Sequence, residues 1–143
     1  MLFGKKQRRI SRLLVVEDEP LVAFDVEHFL TEQGYLVLAT VDRVADAVGL
    51  IAAGHGIDLV MVDVALTDGS GIDVARAAQQ SGVPVLFVTG HCSADMAALA
   101  IGCLSKPFAH RDLLAAIHTI EATLDGRRPR RLPRGFRLFG DAD

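Results

Sequence analysis

The chain has 143 residues, half of them hydrophobic, few aromatics and a formal net charge of −3. That length suits one domain with a real core, and no apolar run approaches the ~20 residues that cross a bilayer, which excludes a membrane span. The charge is unevenly placed: residues 1–12 hold five Lys or Arg and residues 127–137 hold six Arg, around a body with 16 Asp or Glu. An acidic globule with basic ends is expected, and most of these charges serve solubility.

Five strand-like runs alternate with helix-like runs. Residues 1–10 read as a basic extension that leads into a strand rather than a secretory signal, so the expected location is cytoplasmic. The first strand is expected near 12–16, followed by the acidic triplet Glu17-Asp18-Glu19. Pro20 opens a helix carrying Leu21, Val22, Phe24, Val26, Phe29 and Leu30 at helical spacing, and Gly34 closes it. A second strand near 36–40 precedes a helix over 43–53, for which Asp42 is the expected cap. A third strand near 58–62 is followed by a helix over 71–81, capped by Ser70 with Asp73 three residues on.

A fourth strand near 84–88 ends in Thr89, and Ser93 can cap a short fourth helix. A fifth strand near 101–104 leads to Lys106-Pro107. Leu113, Ile117, Ile120 and Leu124 then share one face of a fifth helix. Residues 125–143 read as an Arg-rich tail, mobile unless it docks on the body. Cys92 and Cys103 lack CxxC spacing and read as free thiols in a reducing compartment. His28 and His55 read as solvated, whereas His110 and His118 could line a partner surface.

Strict alternation with short connections implies an α/β fold with right-handed crossovers and a parallel sheet covered on both faces. In such a sheet the carboxyl ends of the strands face one crevice, where ligands bind. Glu17, Asp18 and Asp63 would meet there, and two like charges ~4 Å apart cost about 4 kcal/mol at an effective dielectric of ~20. A cation compensates such a cluster, and a donor set of carboxylates suits Mg²⁺. Lys106 supplies a second positive charge. The Asp63 carboxylate can attack phosphorus, as in aspartyl-phosphate chemistry, with catalysis by positioning and charge neutralisation. The Thr89 hydroxyl suits a phosphoryl oxygen.

Taken together, Val15-Val-Glu-Asp-Glu-Pro20, Asp58-Leu-Val-Met-Val-Asp63, Asp68-Gly-Ser-Gly71, Thr89 and Lys106-Pro-Phe108 resemble a response-regulator receiver domain over residues 11–124. The resemblance implies a flavodoxin-like (βα)5 doubly wound sheet in the order 2-1-3-4-5. It implies Asp63 as phosphoacceptor, Mg²⁺ held by Asp18, Asp63 and the backbone carbonyl of Ala65, and Glu17 acting through metal-bound water. Thr89 and Lys106 would bind the phosphoryl group. Glu17 stands where the family usually has Asp. Gly102 lies four residues before Lys106, where many relatives have about seven, so the fourth helix and fifth strand are compressed. Cys103 occupies the switch position, where an aromatic ring is usual. Pro84-Val-Leu-Phe-Val-Thr-Gly-His91 further resembles the "FAT GUY" group of single-domain receivers, matching at Phe87, Thr89 and Gly90.

The expected function is that of a stand-alone response regulator taking a phosphoryl group from a histidine kinase or histidine phosphotransfer protein. It would signal through an unknown downstream protein or by onward phosphotransfer. No enzymatic activity is expected beyond assisting its own phosphorylation and dephosphorylation. Self-association as a homodimer stays open. Two rival readings are weaker. Nucleic-acid binding through the Arg-rich tail lacks any readout motif. A flavodoxin-like redox role would need a phosphate loop where Glu17-Asp18-Glu19 stands, and these carboxylates repel FMN phosphate. With no ring at Cys103, order in the loop over roughly residues 90–100 is the expected switching variable.

Overall fold

The computed structural model describes residues 8–129 and 131–139. Apolar runs of four to six residues form the strands β1 (Arg12–Val16), β2 (Leu36–Val41), β3 (Leu59–Val62), β6 (Val85–Thr89) and β7 (Gly102–Ser105). They are joined by the helices α1 (Pro20–Glu32), α2 (Val44–Ala52) and α3 (Gly71–Gln80), and by a short 3-10 helix, Ala94–Ala98. A small hairpin, β4 (Ala65–Leu66) with β5 (Gly69–Ser70), follows β3, and α4 (His110–Leu124) follows β7. The sheet order is β2-β1-β3-β6-β7, with a further strand, β8 (Phe136–Leu138), beside β7. Its first five strands are parallel, so the expected 2-1-3-4-5 order of the long strands holds.

The two faces of the sheet bury separate clusters, the arrangement that strict β–α alternation demands. On one face Leu13, Val15, Met61, Leu86 and Leu104 pack against Val26 and Leu30 of α1 and Leu113, Ile117 and Ile120 of α4. On the other, Leu14, Val16, Val62, Phe87 and Cys103 meet Ala47 and Ile51 of α2, Val74 and Ala78 of α3, and Met96 of the 3-10 helix. The alternation of side chains along each strand divides these sets. Only part of the apolar stripe of α1 is used: Leu21 and Phe24 remain 85% and 72% exposed.

Three features differ from the sequence expectation. The cap of α2 is Asp68 and not Asp42: the Asp68 carboxylate accepts from the amides of Val44 (2.5 Å) and Ala45 (3.2 Å). These contacts hold its pKa below the usual carboxylate range. The fourth helix is reduced to the 3-10 helix, which begins after Ser93 without a side-chain cap. Within the tail, Phe136–Leu138 forms a sixth strand, β8, antiparallel to β7. Phe136 and Phe139 are buried, one in each cluster, so apolar burial on both faces docks a segment that composition alone reads as a solvated tail. Ser70 does cap α3, its hydroxyl accepting from the Ile72 amide. Among the described residues, no helix is long and apolar enough to cross a membrane.

Candidate functional site

The strand ends place the acids. Where β1 stops at Val16, the Glu17 amide still donates to the Val41 carbonyl of β2 (2.9 Å), so Glu17 leaves the sheet edge in a fixed direction. One strand over, the Asp63 amide donates to the Val16 carbonyl (3.0 Å). Both acids are buried, Glu17 at 6% exposure and Asp63 at 8%. Beyond Asp63 the chain turns through the β4–β5 hairpin and returns at Gly71, whose amide donates to the Val64 carbonyl (2.6 Å). A Cβ at residue 71 would run into the Asp63 carbonyl, so this close return requires glycine.

Glu17, Asp18 and Asp63 each offer a carboxylate oxygen, and these oxygens lie within 4.8 Å of one another. Lys106, brought to the same edge by the end of β7, places Nζ 2.8 Å from Glu17 Oε1, 2.8 Å from Asp63 Oδ2 and 3.1 Å from Glu19 Oε1. The Lys106–Pro107 peptide bond is cis. Burial pushes the Glu17 carboxyl up, against the hydrogen bonds it accepts from Lys106 and from the Glu19 amide. For Lys106 burial acts against the ammonium, but hydrogen bonds to Asp63 and Glu17 outweigh it and hold the pKa above the usual lysine range. The lysine is therefore a permanent cation in an otherwise acidic pocket.

Thr89 ends β6 beside Ser105, and its carbonyl accepts from the Lys106 amide (2.8 Å), which ties the two phosphoryl-binding candidates together through the backbone. Ala65 opens the β4–β5 hairpin, its amide donating to Asp63 Oδ1 (3.4 Å). The structure thus brings Glu17, Asp18 and Asp63 together, sets Lys106 against Glu17 and Asp63, and ends β6 at Thr89 with Ala65 two residues beyond Asp63. A set of three carboxylates offering only oxygen donors fits Mg²⁺, a hard cation that takes few protein ligands.

Cys103 is buried on β7, and it is not the free thiol expected from the sequence. It forms a disulfide with Cys92, in the loop after Thr89. The two cysteines are 11 residues apart and lack any local motif; only the adjacency of β6 and β7, with the tight path of the 3-10 helix, brings them together. The loop after Gly90 is therefore held at Cys92 and at buried Met96.

Sequence reasoning also missed the third partner of Lys106, Glu19, and the role of the C-terminal strand. A signal for β8 was present in Phe136-Arg-Leu138, a short alternation behind Pro133 and Gly135. His110 pairs with Asp25 of α1 (2.7 Å) and stacks on Phe29, and both members of the pair stay exposed at the surface.

Comparison with known proteins agrees with this geometry. The family model described as "Response regulator receiver domain" matches residues 13–118. The transcriptional regulatory protein PdtaR of Mycobacterium tuberculosis is 35% identical over 112 residues, covering 74% of this chain and 54% of PdtaR. TcrA of the same species, also a transcriptional regulatory protein, is 35% identical over 143 residues, covering 92% of this chain and 55% of TcrA. The chain spans about half the length of these curated relatives. A response regulator receiver protein from Sinorhizobium medicae superposes with a TM-score of 0.67 at 28% identity, covering 84% of this chain and 98% of that one.

Proposed function

This chain belongs to the response-regulator receiver family of two-component signalling, and from that premise we propose that it accepts a phosphoryl group on Asp63. The observation that carries the proposal is the placement of Asp63 at a strand end, 2.8 Å from Lys106 and within 4.8 Å of two further carboxylates. The donor class is the phosphohistidine of a histidine kinase or a histidine phosphotransfer protein. An Asp63 oxygen forms the new O–P bond as the P–N bond of the donor breaks, and the imidazole nitrogen leaves with the electron pair. The Lys106 ammonium, 2.8 Å from Asp63 Oδ2, is placed to take a phosphoryl oxygen as the new bond forms. The Thr89 hydroxyl, carried at the end of β6, is the second group we assign to the phosphoryl oxygens.

Asp18, Asp63 and the Ala65 carbonyl would hold Mg²⁺, with Glu17 acting through water. The ion supplies neutralisation of phosphoryl charge when bound. In this reading the chain is a switch that assists only its own phosphorylation and dephosphorylation. Stand-alone action is part of the same proposal. A location in the cytoplasm follows from the donor class. Output then runs through a protein contact or onward phosphotransfer from Asp63.

The test is incubation of the protein with acetyl phosphate and Mg²⁺, followed by intact mass. One added phosphoryl group is expected, and none in Asp63→Asn. Equal labelling of that variant overturns the assignment.

A further inference from the structure

The Cys92–Cys103 disulfide lies where it can act on the site. It links the third residue after Thr89 to the third residue before Lys106. The Lys106 amide closes the other end by bonding the Thr89 carbonyl. Thr89–Cys92 and Cys103–Lys106 therefore form one closed ring, sealed by a covalent bond at one end and a hydrogen bond at the other. Both phosphoryl-binding candidates sit in that ring. The rest of the fold is complete without a staple, with a filled core on each face of the sheet. Small domains that depend on disulfides lack such a core.

The two sulfurs are unequally placed. Cys103 is fully buried, whereas Cys92 is 9% exposed at the loop, with the Ser105 hydroxyl 3.6 Å from its Sγ. The Cys92 carbonyl also accepts from Arg137 Nη1 (3.4 Å), and Arg137 stands opposite Cys103 in the β7–β8 register. The bond thus joins the loop, the strand before Lys106 and the docked C-terminal strand.

We propose that Cys92 and Cys103 form a reversible thiol–disulfide switch whose state sets how readily the Thr89 loop closes on a phosphorylated Asp63. This rests on the reading of Asp63 as phosphoacceptor. The co-reactant is a dithiol. One of its thiolates attacks the Cys92 sulfur, the Cys92–Cys103 bond breaks, and the Cys103 sulfur leaves with the electron pair and takes a proton. The second thiol of the reductant then displaces Cys92 from the mixed disulfide, so the protein gains two electrons and two protons and the reductant becomes a disulfide. The reverse exchange with an oxidised dithiol restores the bond. In the oxidised form the loop is tethered three residues from Thr89, which opposes inward movement of its hydroxyl. Reduction releases that tether.

The experiment uses the full chain and two readouts. Affinity for beryllofluoride with Mg²⁺ is measured on the oxidised protein, on the dithiol-reduced protein and on Cys92→Ser, chosen because Cys92 lies near the surface. Reduction and Cys92→Ser should each strengthen binding by about fivefold or more, the lower end of ordinary coupling between sites. Because linkage is reciprocal, the mimic must favour the dithiol by the same factor. The fraction of alkylatable cysteine in a fixed glutathione buffer should therefore rise when beryllofluoride and Mg²⁺ are added. Equal affinity in both redox states, an unmoved redox equilibrium, or thiols that never pair in the folded protein would each overturn the switch. If neither state binds the mimic nor labels with acetyl phosphate, the Asp63 reading has failed instead, so the two failures are distinguishable.

Discussion

Replacing Lys106 by Met keeps the bulk of the side chain and removes the ammonium from three carboxylates. Its nitrogen lies 2.8 Å from both Glu17 and Asp63 and 3.1 Å from Glu19. Glu19 is largely exposed and is screened by water, so it contributes little. Glu17 and Asp63 are buried, and stripping the partner from a buried ion pair costs about 3–5 kcal/mol. That cost has a ceiling, because the pocket can take up a proton instead. Glu17 has an ordinary pKa of 4.5, and holding such a group neutral at about pH 7.5 costs about 4 kcal/mol at about 1.4 kcal/mol per pH unit. At about pH 5.5 the same ceiling falls to about 1.4 kcal/mol.

The sign follows from the direction of the shift. Burial already raises the Glu17 pKa in the native state, so native stability from this group is fully present below its unfolded value and is lost as pH rises through its folded one. Lys106→Met raises the folded value further and extends that loss to higher pH. Urea unfolding of the metal-free proteins should thus show a deficit of about 3 kcal/mol near pH 7.5, shrinking to about 1 kcal/mol near pH 5.5. Added Mg²⁺ should recover much of the deficit at the higher pH. A deficit that is the same at both pH values would mean that Lys106 acts through packing, and one below about 0.5 kcal/mol at the higher pH would mean that solvent already neutralises the pocket.

Two further predictions rest on separate parts of the molecule. Asp18→Ala should weaken Mg²⁺ binding and acetyl phosphate labelling far more than Glu19→Ala, since Asp18 belongs to the carboxylate cluster while the Glu19 side chain pairs with Lys106 at the start of α1; titration calorimetry showing equal losses would contradict that division. Phe136→Ala removes a ring that rests on Gly102, close enough that a Cβ there would meet it at 2.6 Å. A loss of about 3 kcal/mol in urea unfolding is expected, as for other buried aromatic truncations, and a loss under about 1 kcal/mol would show that β8 is not a working part of the sheet.

Asp63, Lys106 and the acidic residues after β1 were legible in the sequence because local physics places them. An apolar run long enough for one buried strand must end where the sheet ends, and a parallel sheet puts every such end on one edge. Strict alternation implied a parallel sheet covered on both faces, the strand order came with the resemblance to the receiver family, and the cap at Ser70 followed from a side chain that reaches its own helix within two residues. None of these needs a contact that the neighbouring residues do not already imply.

What only the tertiary structure decided depends on segments distant along the chain. The cap of α2 comes from Asp68, 24 residues from Val44, and displaces the local candidate Asp42 because the β4–β5 hairpin swings it to the helix end. Leu21 and Phe24 carry the helical period of α1 yet stay exposed, while Val26 and Leu30 of the same helix are buried against the sheet. The Arg-rich segment becomes a strand because β7 offers an open edge with apolar surface on both sides. Cys92 and Cys103 pair because β6 and β7 are neighbours and the 3-10 helix between them is short. Periodicity and capping are written in adjacent residues. Pairing across the sheet is decided by which surfaces remain uncovered once those local elements have packed.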